Sequence, residues 1–125
     1  MLLVNELRIG NLIKNLEGTF CKVESLTKVG GIGATCNPVS KKYGGFVEEF
    51  DEIPLTEKIL MDFGFEKIKI SESILGYKKD ILYLSNDFRF IVYDDRINYL
   101  TTIIKSVHRL QNLYFFLTSE ELQLK

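Results

Sequence analysis

Hydrophobic and polar residues alternate along much of the chain, and this spacing predicts short β-strands. Along TFCKVE, Thr19, Cys21 and Val23 fall on one face and the residues between them fall on the other. Such alternation is typical of a half-buried strand. The segments ELRIGNLI and TFCKVESLT therefore predict strands around an NLEG turn, an opening typical of small SH3-like β-barrels.

A glycine-rich stretch, 29–45, interrupts the alternation. KVGGIGATCNPVSKKYGG contains five glycines and one proline and has no period. It predicts a long surface loop or an irregular hairpin. The GGIGATC part lacks the third glycine and the following helix of a dinucleotide-binding turn, so a plain connection is favoured over a phosphate site.

The clearest helix start in the sequence follows Pro54. Thr56 can cap the helix, and Glu57 lies in the first turn near the positive end of the helix dipole. Gly64 predicts the helix end, with Phe65 folding back on Leu60 as in a Schellman motif. We expect a short helix between these signals.

Period-two alternation returns between Lys67 and Leu100. Five strand-like pieces are separated by short turns: KIKIS, ILGYK, DILYLS, FRFIVY and INYL. Strands joined this tightly predict an antiparallel meander.

The C-terminal segment has the period of a helix. One stripe is formed by Ile103, Val107, Leu110, Tyr114 and Leu117. Thr118 and Glu121 fit a capping box, which predicts one more helical turn, with a final strand as the alternative.

Together these elements predict an α+β fold in one domain, 1–125. Residues 1–53 would form a small β unit, and 54–125 would contain the helix, the meander and the C-terminal helix. The hydrophobic content of 46% and the charged content of 26% are typical of a globular protein.

Charge and cysteine content narrow the classes of partner. The formal net charge of −1 gives no electrostatic reason to expect a nucleic-acid or membrane partner. Cys21 and Cys36 match no metal or redox spacing, and we expect both to be reduced. The N-terminal MLLVNELRIGNL does not have the pattern of a signal peptide, which favours a cytoplasmic protein. We expect no cofactor.

His108 and an acidic run are the candidates for chemistry. His108 is the only histidine, so a site with several histidines from one chain is excluded. Its helical position beside Ile104, Gln111 and Phe115 predicts a partly exposed side chain at the edge of the packed face. The acidic run predicts a solvated strand edge or turn rather than a catalytic pair; it consists of Glu48, Glu49, Asp51 and Glu52.

Two lysine and tyrosine clusters are the candidates for nucleic-acid contact. Lys41, Lys42 and Tyr43 form one, and the other consists of Tyr77, Lys78 and Lys79. Single-stranded nucleic-acid binders combine such cations and rings, although paired lysines at hairpin tips also serve solubility.

The segment LYFFL is apolar around most of a helix. Leu113 and Phe116 would widen the buried stripe, while Phe115 would point to the far side. If Phe115 or Phe116 is not buried, we expect it to contact a protein partner or a second copy of the chain.

Three pieces of the sequence carry a resemblance to a family. They are NELRIGNLI, IPLTEKILMDFGFEK and VHRLQNLYFFLTSEEL. In them the chain resembles a family of short uncharacterised proteins from gut Bacteroidales and their phages and mobile elements. It departs from the family pattern in having Ser119 where glycine is usual, and Leu60 near a place where tryptophan often lies. The resemblance implies an accessory protein and supplies no catalytic residues.

The sequence therefore predicts a non-enzymatic protein-interaction module or structural accessory factor. Nucleic-acid binding through the lysine and tyrosine clusters is the alternative. An enzyme built on acidic residues has no positive support in the sequence.

Overall fold

A computed structural model describes residue 2 and residues 6–27, 31–36, 41–46, 50–70, 75–93 and 98–124. Within these ranges the chain forms ten strands and two helices. The predicted α+β class is confirmed. The chain divides into two compact units: Met1–Pro54 with Ser106–Asn112, and Leu55–Lys105 with Leu113–Lys125. Each unit includes part of the last helix, so neither is a continuous piece of sequence.

The first unit contains a five-stranded antiparallel sheet. Its strands are β1 (Leu12–Asn15), β2 (Phe20–Leu26), β3 (Gly31–Cys36), β4 (Lys41–Phe46) and β5 (Phe50–Asp51). Their order in the sheet is β4-β3-β2-β1-β5. The last strand thus lies beside the first.

The core of this sheet follows the predicted alternation. Cys21 and Val23 are buried, whereas Lys22 and Glu24 are exposed. The expectation of reduced cysteines is wrong for Cys21, which is disulfide-bonded. Cys36, the other cysteine of the chain, lies opposite Cys21 in the register of β2 and β3.

Within the described residues, the glycine-rich stretch contributes to β3 and β4, which pair antiparallel. The hairpin alternative is therefore right for this part of it. The register of β2 against β3 shifts between Val23 and Ser25, and Gly33 lies opposite Ser25. A Cβ atom at Gly33 would come within 2.2 Å of the Ser25 Oγ atom. A side chain at position 33 would therefore require the Ser25 hydroxyl to rotate away.

The second unit contains the predicted meander. Helix α1 (Glu57–Asp62) precedes β6 (Glu66–Lys69), β7 (Leu75–Lys79), β8 (Leu82–Ser85), β9 (Arg89–Tyr93) and β10 (Asn98–Ile103). The order β10-β9-β8-β7-β6 joins each strand to the next in sequence. The prediction of an antiparallel meander is confirmed.

Helix α1 begins and ends as its sequence predicts. The Thr56 hydroxyl accepts a hydrogen bond from the Ile59 amide at 3.3 Å. Gly64 has a φ of 93°, and the Phe65 amide donates to the Leu60 carbonyl at 3.0 Å. These contacts form the predicted N-cap and Schellman end.

Helix α2 (Val107–Thr118) begins later than the hydrophobic stripe predicted, since that stripe started at Ile103. Ile103 ends strand β10 instead, and the Leu110 amide donates to the Ser106 carbonyl at 3.2 Å. The helix ends at Thr118, because Ser119 has a left-handed φ of 60°. Residues 120–124 are in neither helix nor strand, so both predictions for this segment are wrong.

Neither α1 nor α2, the helices of the described residues, is long and apolar enough to cross a membrane.

Candidate functional site

The first half of α2 has a buried polar face within the first unit. The side chains of His108 and Gln111 are 0% and 1% exposed. The prediction of a partly exposed His108 is therefore wrong. Buried polar groups are costly unless they form hydrogen bonds, so the partners of this face determine what it does.

Gln111 forms hydrogen bonds with the backbone of the N-terminal segment. Its Oε1 atom accepts from the Leu12 amide at 2.7 Å, and its Nε2 atom donates to the Gly10 carbonyl at 3.4 Å. Segment 6–11 precedes β1, and part of its backbone pairs with β2: the Gly10 amide donates to the Val23 carbonyl at 2.8 Å, and the Val23 amide donates to the Asn11 carbonyl at 2.9 Å. The Gln111 side-chain amide adds partners for the Gly10 carbonyl and for the amide of Leu12, the first residue of β1.

Asn112 joins three parts of the same segment. Its Nδ2 atom donates to the Glu6 carbonyl at 2.7 Å. Its Oδ1 atom accepts from Asn11 Nδ2 at 2.8 Å and from Arg8 Nε at 3.2 Å. Asn11 is fully buried, and its own Oδ1 atom accepts from the Arg8 amide at 2.6 Å. This network fixes the chain entering β1 against α2.

The His108 ring has a polar neighbour at each nitrogen. Ser106 Oγ lies 3.2 Å from Nδ1, and Glu6 Oε2 lies 3.5 Å from Nε2. Burial lowers the pKa of His108, although the nearby Glu6 and Glu52 carboxylates act in the opposite direction. In the neutral ring, a proton on Nε2 satisfies both contacts. It is directed to the carboxylate, while Nδ1 accepts from the serine hydroxyl.

Glu6 also forms an ion pair with Arg109. Both Glu6 oxygens accept from Arg109 Nη2, at 3.1 and 3.2 Å, and Arg109 Nε donates to Oε2 at 3.3 Å. The two side chains are 31% and 39% exposed, so water screens much of this attraction. We attribute to this pair mainly the positioning of Glu6.

A histidine whose ring contacts a serine on one side and a glutamate on the other is also found in nucleophilic active sites. Here Ser106 and His108 are both 0% exposed, so neither can touch a substrate in this structure. The carboxylate also faces Nε2, the nitrogen that contacts the nucleophile in such triads. The geometry is that of a buried structural cluster. Among the described residues, no three His, Cys, Asp or Glu side chains group as metal ligands.

The two ends of this network give separate signals in the sequence. NELRIGNLI and VHRLQN were both singled out by the resemblance, and the structure brings them into contact through Glu6, Asn11, Gln111 and Asn112. Their residues are about a hundred positions apart, so no local period could reveal the pairing. The concentration of amides in both segments was the only available signal.

Phe116 and Phe115 lie on the second half of α2, within the second unit. Phe116 is 83% exposed and Phe115 is 38% exposed. The prediction that Phe116 belongs to the buried stripe of the helix is therefore wrong. Val107, Leu110 and Tyr114 are buried as predicted.

The two lysine and tyrosine clusters lie at the ends of strands. Lys41, Lys42 and Tyr43 begin β4, and their side chains lie outside what the structure describes. Tyr77, Lys78 and Lys79 end β7, with the turn at Asp80 and Ile81.

The second of these clusters has contacts within the second unit. Tyr77 is 7% exposed, and its ring lies 6.0 Å from that of Phe88. Lys79 donates to the Phe63 carbonyl and lies 5.8 Å from the centre of the Tyr114 ring. Lys78 lies 5.3 Å from the centre of the Tyr83 ring.

Tyr114 further ties α2 to the β7–β8 turn. Its hydroxyl donates to the Asp80 carboxylate. Burial, together with this hydrogen bond, raises the pKa of Tyr114 to about 12. Tyr114 and Lys79 therefore connect elements inside the unit.

The acidic run is only partly described. Glu48 and Glu49 lie outside the described residues, while Asp51 is exposed and Glu52 is half-buried. The Asp51 carboxylate accepts from the Glu52 amide at 2.9 Å, a local contact typical of a turn.

Comparison with known proteins adds no assignment: no family model, curated protein or solved structure matches the chain.

Proposed function

We propose that the protein is a non-enzymatic accessory protein that binds a protein partner through Phe116. The observation that carries the proposal is the exposure of this ring, at 83%, on a helix whose Val107, Leu110 and Tyr114 are buried. Exposed aromatic side chains contribute large apolar area to protein interfaces at a small cost in side-chain entropy. Phe115, at 38% exposed, lies next to it and belongs to the same proposed contact.

The buried polar network supports a non-enzymatic role. The most reactive side chains at the start of α2 are enclosed and hydrogen-bonded: Ser106, just before the helix, and His108 and Gln111 within it. Their contacts account for their presence without a reaction. The resemblance to Bacteroidales, phage and mobile-element proteins is consistent with an accessory role.

Capture from the native host with three tagged baits tests this proposal. The baits are the wild type, Phe116→Ser and Leu16→Ser, the last a matched control because Leu16 is an exposed hydrophobic residue, at 76%, in a turn of the first unit. We expect the wild type and Leu16→Ser to retain the same discrete proteins and Phe116→Ser to lose them. Identical capture by all three baits would contradict the proposal.

A second copy of the chain is the other occupant to distinguish. Light scattering of the three purified proteins over a concentration series reads this directly. A dimer that Phe116→Ser alone dissociates would identify the partner as a second copy. A monomer throughout leaves the captured protein as the partner.

Nucleic-acid binding is the alternative proposal, and the structure offers it less support. In the second lysine and tyrosine cluster, Tyr77 is buried and Lys79 contacts Phe63 and Tyr114. These two residues of the cluster already have partners within the protein. Filter binding with single-stranded DNA and RNA at low salt tests it. Salt-dependent retention lost on changing Lys41 and Lys42 to Gln would favour this alternative.

A cytoplasmic location is part of the favoured proposal. The disulfide at Cys21 bears on it directly, because reducing compartments keep most thiols reduced. Alkylation of thiols at the moment of cell lysis measures the state of both cysteines. Two alkylated cysteines support the cytoplasm, and protected cysteines would place the protein in an oxidising compartment.

A further inference from the structure

The surface around Phe116 carries charge as well as an exposed ring. Helix α2 ends at Thr118 and has no basic residue in its last turn. Glu120 and Glu121 follow the helix, and both are exposed. The exposed rings of Phe115 and Phe116 therefore lie on a helix end that is followed directly by two carboxylates.

The end of the helix adds to this negative potential. Its unpaired carbonyls carry roughly half of a negative elementary charge, which a nearby cation commonly offsets. Helix α1 has such a cation, because Lys79 donates to the Phe63 carbonyl at its end. In the part of the chain that the structure describes, no lysine or arginine donates to the carbonyls of Phe116, Leu117 or Thr118.

The fold fixes the position of the Glu120 carboxylate. The Glu120 amide donates to the Thr118 hydroxyl at 3.1 Å. Leu122 is 3% exposed, so the chain beyond the two glutamates is anchored in the core of the second unit. Burial and the Asp80 hydrogen bond raise the pKa of Tyr114, and the Glu120 carboxylate adds to this effect. Glu120 therefore lies near the Tyr114 hydroxyl.

Two further charged groups beside Tyr114 have opposite signs. Asp80 accepts from the Tyr114 hydroxyl, and Lys79 Nζ lies 5.8 Å from the centre of the Tyr114 ring. Glu120 forms no ion pair with the described residues. Its charge is therefore not offset as that of Asp80 is, and together with the helix end it makes this surface negative.

We infer that the partner contacts Phe116 with an apolar side chain that is flanked by lysine or arginine. The inference rests on the proposed function, because it concerns the same Phe116 contact. Opposite charges at the rim of an interface speed association and disfavour partners of the same sign. A basic amphipathic segment complements both the ring and the carboxylates.

The same charges argue against the other occupants of this surface. In a two-fold contact the same surface of both copies meets, so a second copy would bring its own Glu120 and Glu121 toward those of the first. Nucleic acids and anionic membranes would also meet a like charge. The charge therefore favours a different, basic protein.

Two synthetic amphipathic peptides test the charge requirement directly. They share the same leucines and differ only in the polar face, which is lysine in one peptide and glutamate in the other. We expect the lysine peptide to give saturable shifts in the amide NMR spectrum of the full chain, centred on residues 113–121. The glutamate peptide should bind at least about tenfold more weakly. Added salt should weaken the lysine peptide, because it screens exposed charges.

Matched variants locate the groups that bind the lysine peptide. Phe116→Ser should abolish the saturable shifts, because it removes the apolar contact. Glu120→Lys should weaken the lysine peptide by about threefold to tenfold, since it replaces an attraction at the surface with a repulsion. Glu24→Lys makes the same change in net charge at an exposed glutamate of the first unit and should leave binding unchanged. The amide spectrum of each variant reports whether its fold is retained.

Capture from the native host separates a failure of this inference from a failure of the proposed function. The baits are the wild type, Phe116→Ser and Glu120→Lys. Proteins that both variants lose would agree with the peptide result. Proteins that Phe116→Ser loses and Glu120→Lys retains would overturn the charged contact and leave the proposed function intact. Identical capture by all three baits would contradict both.

Three results of the peptide experiment would also overturn the inference. One is the absence of saturable shifts with the lysine peptide. Another is equal binding of the lysine and glutamate peptides. The third is equal weakening by Glu120→Lys and Glu24→Lys, which would show an effect of net charge rather than of this surface.

Discussion

His108 shows how burial changes the meaning of a single residue. As the only histidine it was the natural candidate for chemistry, but its ring lies between Ser106 and Glu6 with no exposed surface. The charged groups that act on it are those of Glu6, Glu52 and Arg109. Its role is to fill a polar position in the fold.

The lowered pKa of His108 predicts a specific pH dependence of stability. The folded protein binds the proton less readily than the unfolded chain, whose histidine has a pKa of 6.5. The neutral ring therefore contributes stability above this pH, and the contribution is lost as the pH falls toward the folded-state pKa. One proton limits the slope to about 1.4 kcal/mol per pH unit.

Urea unfolding of the wild type and His108→Gln between pH 7.5 and 5 measures this effect. We expect the free energy of unfolding of the wild type to fall below about pH 6.5 and that of the variant to stay nearly level in the same window. Parallel curves for the two proteins would show that His108 does not titrate differently on folding.

At the scale of elements, the predictable parts are those that local chemistry specifies. Thr56 and Gly64 set the ends of α1, and period-two alternation identified the meander. The hairpin β3–β4 was ambiguous because its glycines have no side chains to show a period. The pairing of β3 with β2, whose register shifts between Val23 and Ser25, is a contact between strands that the local sequence does not show.

Helix α2 was predictable as a helix but not in its polar contacts. Its buried stripe is right for Val107, Leu110 and Tyr114. The burial of Gln111 depends on Gly10 and Leu12, far away in the sequence. The exposure of Phe116 depends equally on which side of the helix the rest of the chain covers. The positions of residues around a helix predict neither the burial of Gln111 nor the exposure of Phe116.

The end of α2 offers a prediction about helix termination. Ser119 adopts a φ of 60°, and its amide donates to the Phe115 carbonyl at 2.8 Å. Glycine adopts this conformation without the steric cost that a Cβ atom adds. Ser119→Gly should therefore raise the free energy of unfolding by about 0.5–1 kcal/mol.

Thermal and urea unfolding of Ser119→Gly measure the gain. Glu120→Gly is the control, because Glu120 is not among the described residues with a positive φ. It should give no gain. Equal effects of the two substitutions would mean that the left-handed conformation of Ser119 carries no strain.

At the scale of the whole molecule, the two halves of the signature VHRLQNLYFF have different tasks. The first half holds segment 6–12 through hydrogen bonds in the first unit. The second half, in the other unit, leaves Phe116 exposed. We propose that the polar half serves the fold, and that Phe116 is available for a partner because the fold does not require it.

Urea unfolding of Gln111→Leu and Phe116→Ser tests this claim most directly. Gln111→Leu keeps the side-chain volume but leaves the Leu12 amide and the Gly10 carbonyl without their partner. We expect it to lower the free energy of unfolding by about 1–3 kcal/mol. Phe116→Ser should change that free energy by less than about 0.5 kcal/mol. A stable Gln111→Leu together with a strongly destabilised Phe116→Ser would contradict the claim.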